Sequence, residues 1–190
     1  SYAGEHSPNT PLYKGYRVYA NNATTGELIW DLLAWSASGL GTSLAPIAIA
    51  DGYLVHLNAY DGKLYCVGKG PSEITVEAPL TALLSGQSVV IRGTITDISA
   101  GTTLSEQAAR FPKGVPVVSD ESMTAWMEYV YMQKSRPNNA TGVPITISVV
   151  DSNGNYRTIG TTTSDADGFF TYNWKPDIDG QYIVYASFDG

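Results

Sequence analysis

The sequence predicts a mainly β chain of 190 residues with a single helical stretch. Three observations carry this. Short apolar runs alternate with turn signals at intervals of roughly 8–12 residues. The breaks hold the dipeptides that tight turns need, Asp-Gly at 51–52, 61–62 and 167–168 and Asn-Gly at 153–154. Helical spacing of apolar residues occurs once, in Met123, Trp126, Met127, Val130 and Tyr131.

Gly15 to Ala20 reads as the first strand, Asn21 to Gly26 as a polar turn and Glu27 to Leu33 as the second strand. Ala45 to Ala50 is a third, closed by Asp51-Gly52. Tyr53 to Ala59 and Lys63 to Val67 form a hairpin around Tyr60-Asp61-Gly62. Gly68-Lys69-Gly70-Pro71-Ser72 breaks the pattern and reads as a linker. The domains expected are therefore residues 1–72 and 73–190.

Val18-Tyr19-Ala20 and Leu64-Tyr65-Cys66 have the same character about 46 residues apart, a period that points to four-stranded propeller blades. Ala20-x-Asn22-x-x-Thr25-Gly26-Glu27-x-x-Trp30 resembles the tryptophan-docking motif of PQQ-like (quinoprotein-type) β-propeller repeats. Asn22 stands where that motif has Asp, and Glu27 where it has Lys. The resemblance covers about residues 13–68. It implies that Trp30 packs between adjacent blades and that Gly26 makes the turn before the outer strand. It implies no quinone, because a cofactor site needs a closed ring of blades. The segment holds material for about one and a half blades, against the four to eight of a closed propeller. Such a piece leaves sheet edges and an apolar face uncovered.

In the second segment, Glu73 to Glu77 and Gln87 to Asp97 read as strands, with Val89, Ile91 and Ile95 on one face. Pro144 to Val150 places Ile145, Ile147 and Val149 inward. Asp151 to Asn155 turns the chain into Tyr156 to Thr162. After Asp165-Ala166-Asp167-Gly168, Phe170, Tyr172 and Trp174 share a face. Tyr182, Val184, Ala186 and Phe188 alternate in the last strand. Gly180-x-Tyr182 resembles the tyrosine corner of immunoglobulin-like sandwiches, which assigns Tyr182 to the sandwich corner. Together with Asp165-x-Asp167-Gly168-Phe169-Phe170 and Trp174-x-Pro176, it resembles archaeal and bacterial surface Ig-like repeats over about residues 73–98 and 143–190. The fold class expected is a mainly β chain, with a partial propeller-type segment followed by an immunoglobulin-like β-sandwich. In those repeats one more edge strand follows the position of Gly190, so both ends of the chain read as unfinished.

Residues 99–142 form an insertion. Its helix has Asp120 as N-cap, Glu121 in the first turn, Lys134 and Arg136 near the end and Pro137 as the stop. It reads either as a helix lying on a sheet or the domain junction, or as a protein-docking helix, since Met, Trp and Tyr are enriched at interfaces.

The chemistry is bounded by what is scarce. Net charge is −7 and charged residues make up 15%, well below the roughly 25% of ordinary soluble domains. The missing basic surplus argues against nucleic-acid binding. No apolar run approaches 18 residues, so no membrane span is expected. No signal peptide opens the sequence, which leaves a mature chain, a fragment or a cytosolic protein. One cysteine, Cys66, allows no intrachain disulfide and reads as a small buried hydrophobe in its strand. His6 and His56, with that cysteine, cannot build a zinc site without carboxylates. There is no G-x-S-x-G elbow, Walker loop or G-x-G-x-x-G, and we expect neither enzymatic activity nor a cofactor.

Asn22-Ala23-Thr24 and Asn139-Ala140-Thr141 are N-glycosylation sequons in expected loops, which favours an exported chain carrying N-linked glycans. Asp151-x-Asn153-x-Asn155 and Asp165-x-Asp167 have spacings that suit Ca²⁺ as well as plain turns. The function expected is a non-enzymatic structural or adhesive component of an extracellular or cell-surface assembly. Self-association through unpaired sheet edges would build it, with Ser1 to Leu12 as a donor arm. The alternative is a fragment of a longer secreted PQQ-like propeller protein with a binding or electron-transfer role. A carbohydrate-binding module would need an exposed aromatic platform, and the Tyr and Trp residues fall mostly in core-like alternation.

Overall fold

A computed structural model describes residues 12–13, 15–35 and 47–190. It is mainly β, 41% strand and 13% helix, with several antiparallel sheets and no closed barrel among the described residues. The chain divides into two compact units. The first runs to Lys69 and takes in Thr124–Pro137, and the second holds Gly70–Met123 and Asn138–Gly190.

In the first unit, β1 (Arg17–Asn21) pairs with β2 (Leu28–Leu33). A separate sheet orders β3 (Ala48–Ala50), β4 (Tyr53–Asn58) and β5 (Lys63–Val67). Ala45 and Pro46 of the expected third strand, His6 and nearly all of the expected donor arm lie outside the described residues. Asp51 and Gly52 both take positive φ, 51° and 80°, the geometry of a two-residue hairpin turn whose twist matches the strands it joins.

The core of this unit is aromatic: Tyr13, Leu32, Leu33, Trp35, Tyr60, Tyr65 and Met132, with Trp30, Met127 and Tyr131 packed against it. Three of these residues come from the segment expected as part of the sandwich insertion. The helix α1 (Ser105–Arg110) and the longer α2 (Asp120–Tyr131) both lie in that insertion. A single helix was expected; the short α1 has no apolar period to announce it. The longer helix stops at Tyr131 rather than at Pro137. Gln133 takes φ 58°, and the Lys134 N–H turns back to the Glu128 carbonyl at 3.3 Å. A left-handed residue after a helix ends it more directly than a later proline does. Asp120 is the first helical residue instead of the cap.

The second unit has two sheets. One orders β10 (Tyr156–Thr163), β9 (Pro144–Val150) and β12 (Ile183–Ser187). The other orders β11 (Phe169–Trp174), β7 (Val89–Asp97) and β6 (Ser72–Glu77), with the short β8 (Val115–Pro116) on β7. Both supply one core. Ile91 and Ile95 from β7, Ile145 and Ile147 from β9, Val143 and Phe170 are all buried. Each such side chain contributes about 1.5–3 kcal/mol relative to exposure. Gly93 lies between Ile91 and Ile95 on the inward face. A Cβ there would overlap the Phe170 ring and the Thr75 carbonyl, so the missing side chain is what lets Phe170 cross β7 closely.

Candidate functional site

The turn between β1 and β2 and the turn between β4 and β5 are copies of each other. The Asn22 side-chain oxygen accepts the Thr24 N–H at 2.8 Å, and the Gly26 N–H reaches the Asn22 carbonyl at 2.8 Å. The Asn58 oxygen accepts the Tyr60 N–H at 3.1 Å, and the Gly62 N–H reaches the Asn58 carbonyl at 2.8 Å. Gly26 and Gly62 supply the positive φ, 77° and 69°. The repeat therefore runs from Asn22 to Asn58, shorter than the expected spacing of about 46 residues. Val18–Ala20 precedes its turn while Leu64–Cys66 follows its own, so those two triplets are not equivalent. By the same register, Trp30 of the first copy corresponds to Cys66 of the second. Trp30 packs against the aromatic core, whereas Cys66 is exposed. The expected burial of Cys66 is thus corrected: in β5 it is Tyr65 that points inward, and Leu64 and Cys66 point out.

Beneath the second turn lies a polar knot. The hydroxyls of Tyr13 and Tyr65 donate to Asp61 Oδ2 at 2.6 and 2.7 Å, and Asp61 Oδ1 accepts the Lys63 N–H at 3.0 Å. Burial, with the neighbouring Tyr13 and Asp61, pushes the Tyr65 phenol well above its ordinary pKa, so it stays a donor. His56, 1% exposed, stacks on Tyr65 with 5.7 Å between ring centroids, and neither ring nitrogen has a hydrogen-bond partner. Burial lowers its pKa. Glu128 of α2 accepts from Arg17 at 2.7 Å and from the Leu33 N–H at 3.3 Å, while Arg17 also pairs with Asp31. Asp61, Asp31 and Glu128 thus all accept from side-chain or backbone donors of the same unit.

The expected Ca²⁺ turns are built alike. Asp151 Oδ1 accepts the N–H groups of Asn153 and Asn155 at 2.9 and 3.0 Å, and Asp165 Oδ1 accepts those of Asp167 and Phe169 at 2.9 Å each. These donors, Asn155 foremost, hold the Asp151 carboxyl below its ordinary pKa. The Asp151 side chain closes the β9–β10 hairpin, and the Asp165 side chain closes the turn that carries the chain from β10 to β11 in the other sheet. Among the described residues no group of three His, Cys, Asp or Glu stands in a metal-holding arrangement.

The Tyr182 hydroxyl donates to the Ile178 carbonyl at 2.8 Å and accepts the Ile178 N–H at 3.2 Å, four residues upstream. Its ring meets Trp174 edge-on at 4.9 Å. Asn22 and Asn139 are both exposed. The Thr141 hydroxyl of the second sequon lies 2.8 Å from Ser119 Oγ, so that sequon is pinned ahead of α2, whereas the first stands on a bare turn.

The open strand edges differ in how they are defended. The edge strand β6 carries Glu73 and Glu77. The edge strand β10 carries Arg157 and a bulge between Thr158 and Gly160. The edge of β11 is approached by the Thr162 hydroxyl, which donates to the Thr171 carbonyl at 2.8 Å. By contrast β12, Ile-Val-Tyr-Ala-Ser, pairs with β9 on one side, has no charge, proline or bulge, and on the other side is hydrogen-bonded to no strand among the described residues, although β6 of the other sheet runs close by. Unguarded edges of this kind are templates for another strand. In the sheet β3–β4–β5 the outward positions Tyr53, Leu57, Leu64 and Cys66 are exposed and uncharged, with Leu64 at 70%. No helix among the described residues is long and apolar enough to cross a membrane. Comparison with known protein families, characterised proteins and solved structures returns no match.

Proposed function

We propose that this chain is a non-enzymatic structural and adhesive component of an extracellular surface assembly, joined by addition of a strand from a neighbouring copy to the bare edge of β12. The single observation that carries the proposal is that edge, uncharged where the other edges of the second unit are charged, bulged or approached by a side chain. A fourth backbone strand there would satisfy the outward N–H and C=O groups of β12. The Tyr182 hydroxyl bonded to the backbone of residue 178 supports an immunoglobulin-like reading of the second unit. The paired Asn22 and Asn58 turns support a PQQ-like repeat in the first. The exposed sequons at Asn22 and Asn139 support an exported, glycosylated chain. A second reading, part of a longer secreted PQQ-like propeller protein with a binding or electron-transfer role, is favoured by the bare apolar face of β3–β4–β5, the kind of surface a further blade would cover.

Sedimentation of the purified chain tests strand addition. Concentration-dependent oligomers are expected. The double variant Ile183→Lys/Ser187→Lys guards the edge and leaves the inward Val184 and Ala186 in place, so it should sediment as a monomer with unchanged circular dichroism. A wild-type chain that stays monomeric at high micromolar concentration defeats the proposal.

A further inference from the structure

The sheet β10–β9–β12 has an outward face unlike any other in the second unit. Register places Tyr156, Val150 and Ile183 in one row, Thr158, Ser148 and Tyr185 in the next, and Thr161, Thr146 and Ser187 in a third. Among these residues there is no charged side chain. The outward face of the other sheet carries Glu73, Glu77 and Arg92. Two tyrosines dominate the uncharged face. Tyr156 is 65% and Tyr185 46% exposed, and their rings meet at 62° with 6.2 Å between centroids. Ile183, 56% exposed, continues the apolar strip, and Thr158, Thr161 and Ser187 are exposed beside it, the Thr158 hydroxyl seated 3.2 Å from that of the buried Ser148. The result is an angled aromatic wall over a floor of hydroxyls.

From this arrangement we infer that the face is a binding site for a neutral oligosaccharide. A sugar ring offers an apolar C–H face, which aromatic rings cover, and an equatorial fringe of hydroxyls, which Ser and Thr hydroxyls match as both donors and acceptors. Tyrosine gives such contacts at low conformational cost, since only two side-chain torsions are fixed. Charge selects the class of glycan. An acidic glycan would meet no cation on this face and a chain of net charge −7, while a basic one would meet no carboxylate. A neutral glycan leaves no charge unpaired. The platform that alternation in the sequence argued against is formed by the two tyrosines on the outward register. The site uses the face of the sheet rather than the edge of β12, so it stands or falls independently of strand addition.

The test is binding of the intact chain to an array of neutral hexose and N-acetylhexosamine oligomers, followed by titration of the best-retained oligomer. Retention of at least one neutral oligomer is expected. Tyr156→Ala and Tyr185→Ala should each weaken it at least tenfold, with Tyr156→Phe retaining most of the affinity and Tyr19→Ala, an exposed tyrosine of β1, leaving it intact. Sedimentation of Tyr156→Ala should match wild type. The inference is overturned by an array with no neutral glycan retained, by retention that survives both alanine variants, or by a Tyr156→Ala variant whose only defect is loss of oligomers, which would make the face an interface between copies.

Discussion

The two units solve the same problem, a core for short antiparallel strands, with different materials. The second buries aliphatic side chains from both of its sheets, and its six central residues carry one polar atom set among them, the backbone's own. The first buries tyrosines, two tryptophans, a histidine and an asparagine; a knot centred on Asp61 and Asn58 satisfies Tyr13, Tyr65 and the Trp35 and Tyr60 N–H groups, while the His56 ring nitrogens stay without partners. An aliphatic core costs little in specificity of partners and is limited by volume. A polar aromatic core is limited by hydrogen bonds, each of which becomes a liability when its partner is removed. The difference teaches where each unit is vulnerable.

The largest effect should come from volume in the second unit. Ile147→Ala removes a fully buried side chain from the central strand β9 and should cost about 2–5 kcal/mol. Urea unfolding followed by hydrogen exchange should show the loss in β7, β9 and β11; a cost below about 1 kcal/mol would mean that this core is looser than its burial indicates. A smaller effect, about 1–3 kcal/mol, is expected from Asp61→Ala, which strips the shared acceptor from Tyr13 and Tyr65. Exchange should rise in β4 and β5, and a variant as stable as the wild type would show that the two phenols are satisfied elsewhere.

The smallest effect separates the units by pH. The folded chain resists protonation of His56 because the ring is buried, while the unfolded chain takes up a proton near pH 6.5. Stability of the first unit should therefore fall as pH drops through about 6.5 towards 5. The Leu57 backbone and the Asp61 carboxylate favour the charged ring and only partly offset the desolvation. His56→Phe should flatten that slope. In the second unit Arg157 holds the Asp177 carboxyl down to about 2, so the contribution of that pair is lost only as pH falls through about 4 towards 2 and should not register in the same window. Thermal melts of wild type and His56→Phe at pH 7.5 and 5 check this, and parallel slopes in the two proteins would remove His56 from the account.

Much of this was legible from alternation and turn residues. The strand Lys63–Val67 and the strand Pro144–Val150 stand where the apolar pattern puts them, and Ile91, Ile95, Ile145 and Ile147 point inward as their period requires. What alternation cannot report is which of two apolar faces is covered. Cys66 and Tyr65 are both apolar neighbours in β5, and only the packing of Tyr65 on the aromatic core decides between them. The return of Met127, Tyr131 and Met132 to the first unit was equally hidden, because helical spacing shows that a stripe is buried and not against what. The repeat was visible in outline but misregistered, since similarity of strand residues is weaker evidence than the hydrogen-bonding asparagine and glycine of the turn. Asp61 lay in plain view as a turn residue; nothing in its spacing showed that Tyr13 would reach it across 48 positions.

The path of the chain through Thr124–Pro137 sets a timetable for biosynthesis. A ribosome finishes β1 through β5 long before it adds Met132, yet Met132 is fully buried in their core. The first unit therefore cannot reach its final packing as it emerges. It must wait for residues that arrive after β6, β7 and α1, carrying exposed tyrosines and leucines meanwhile.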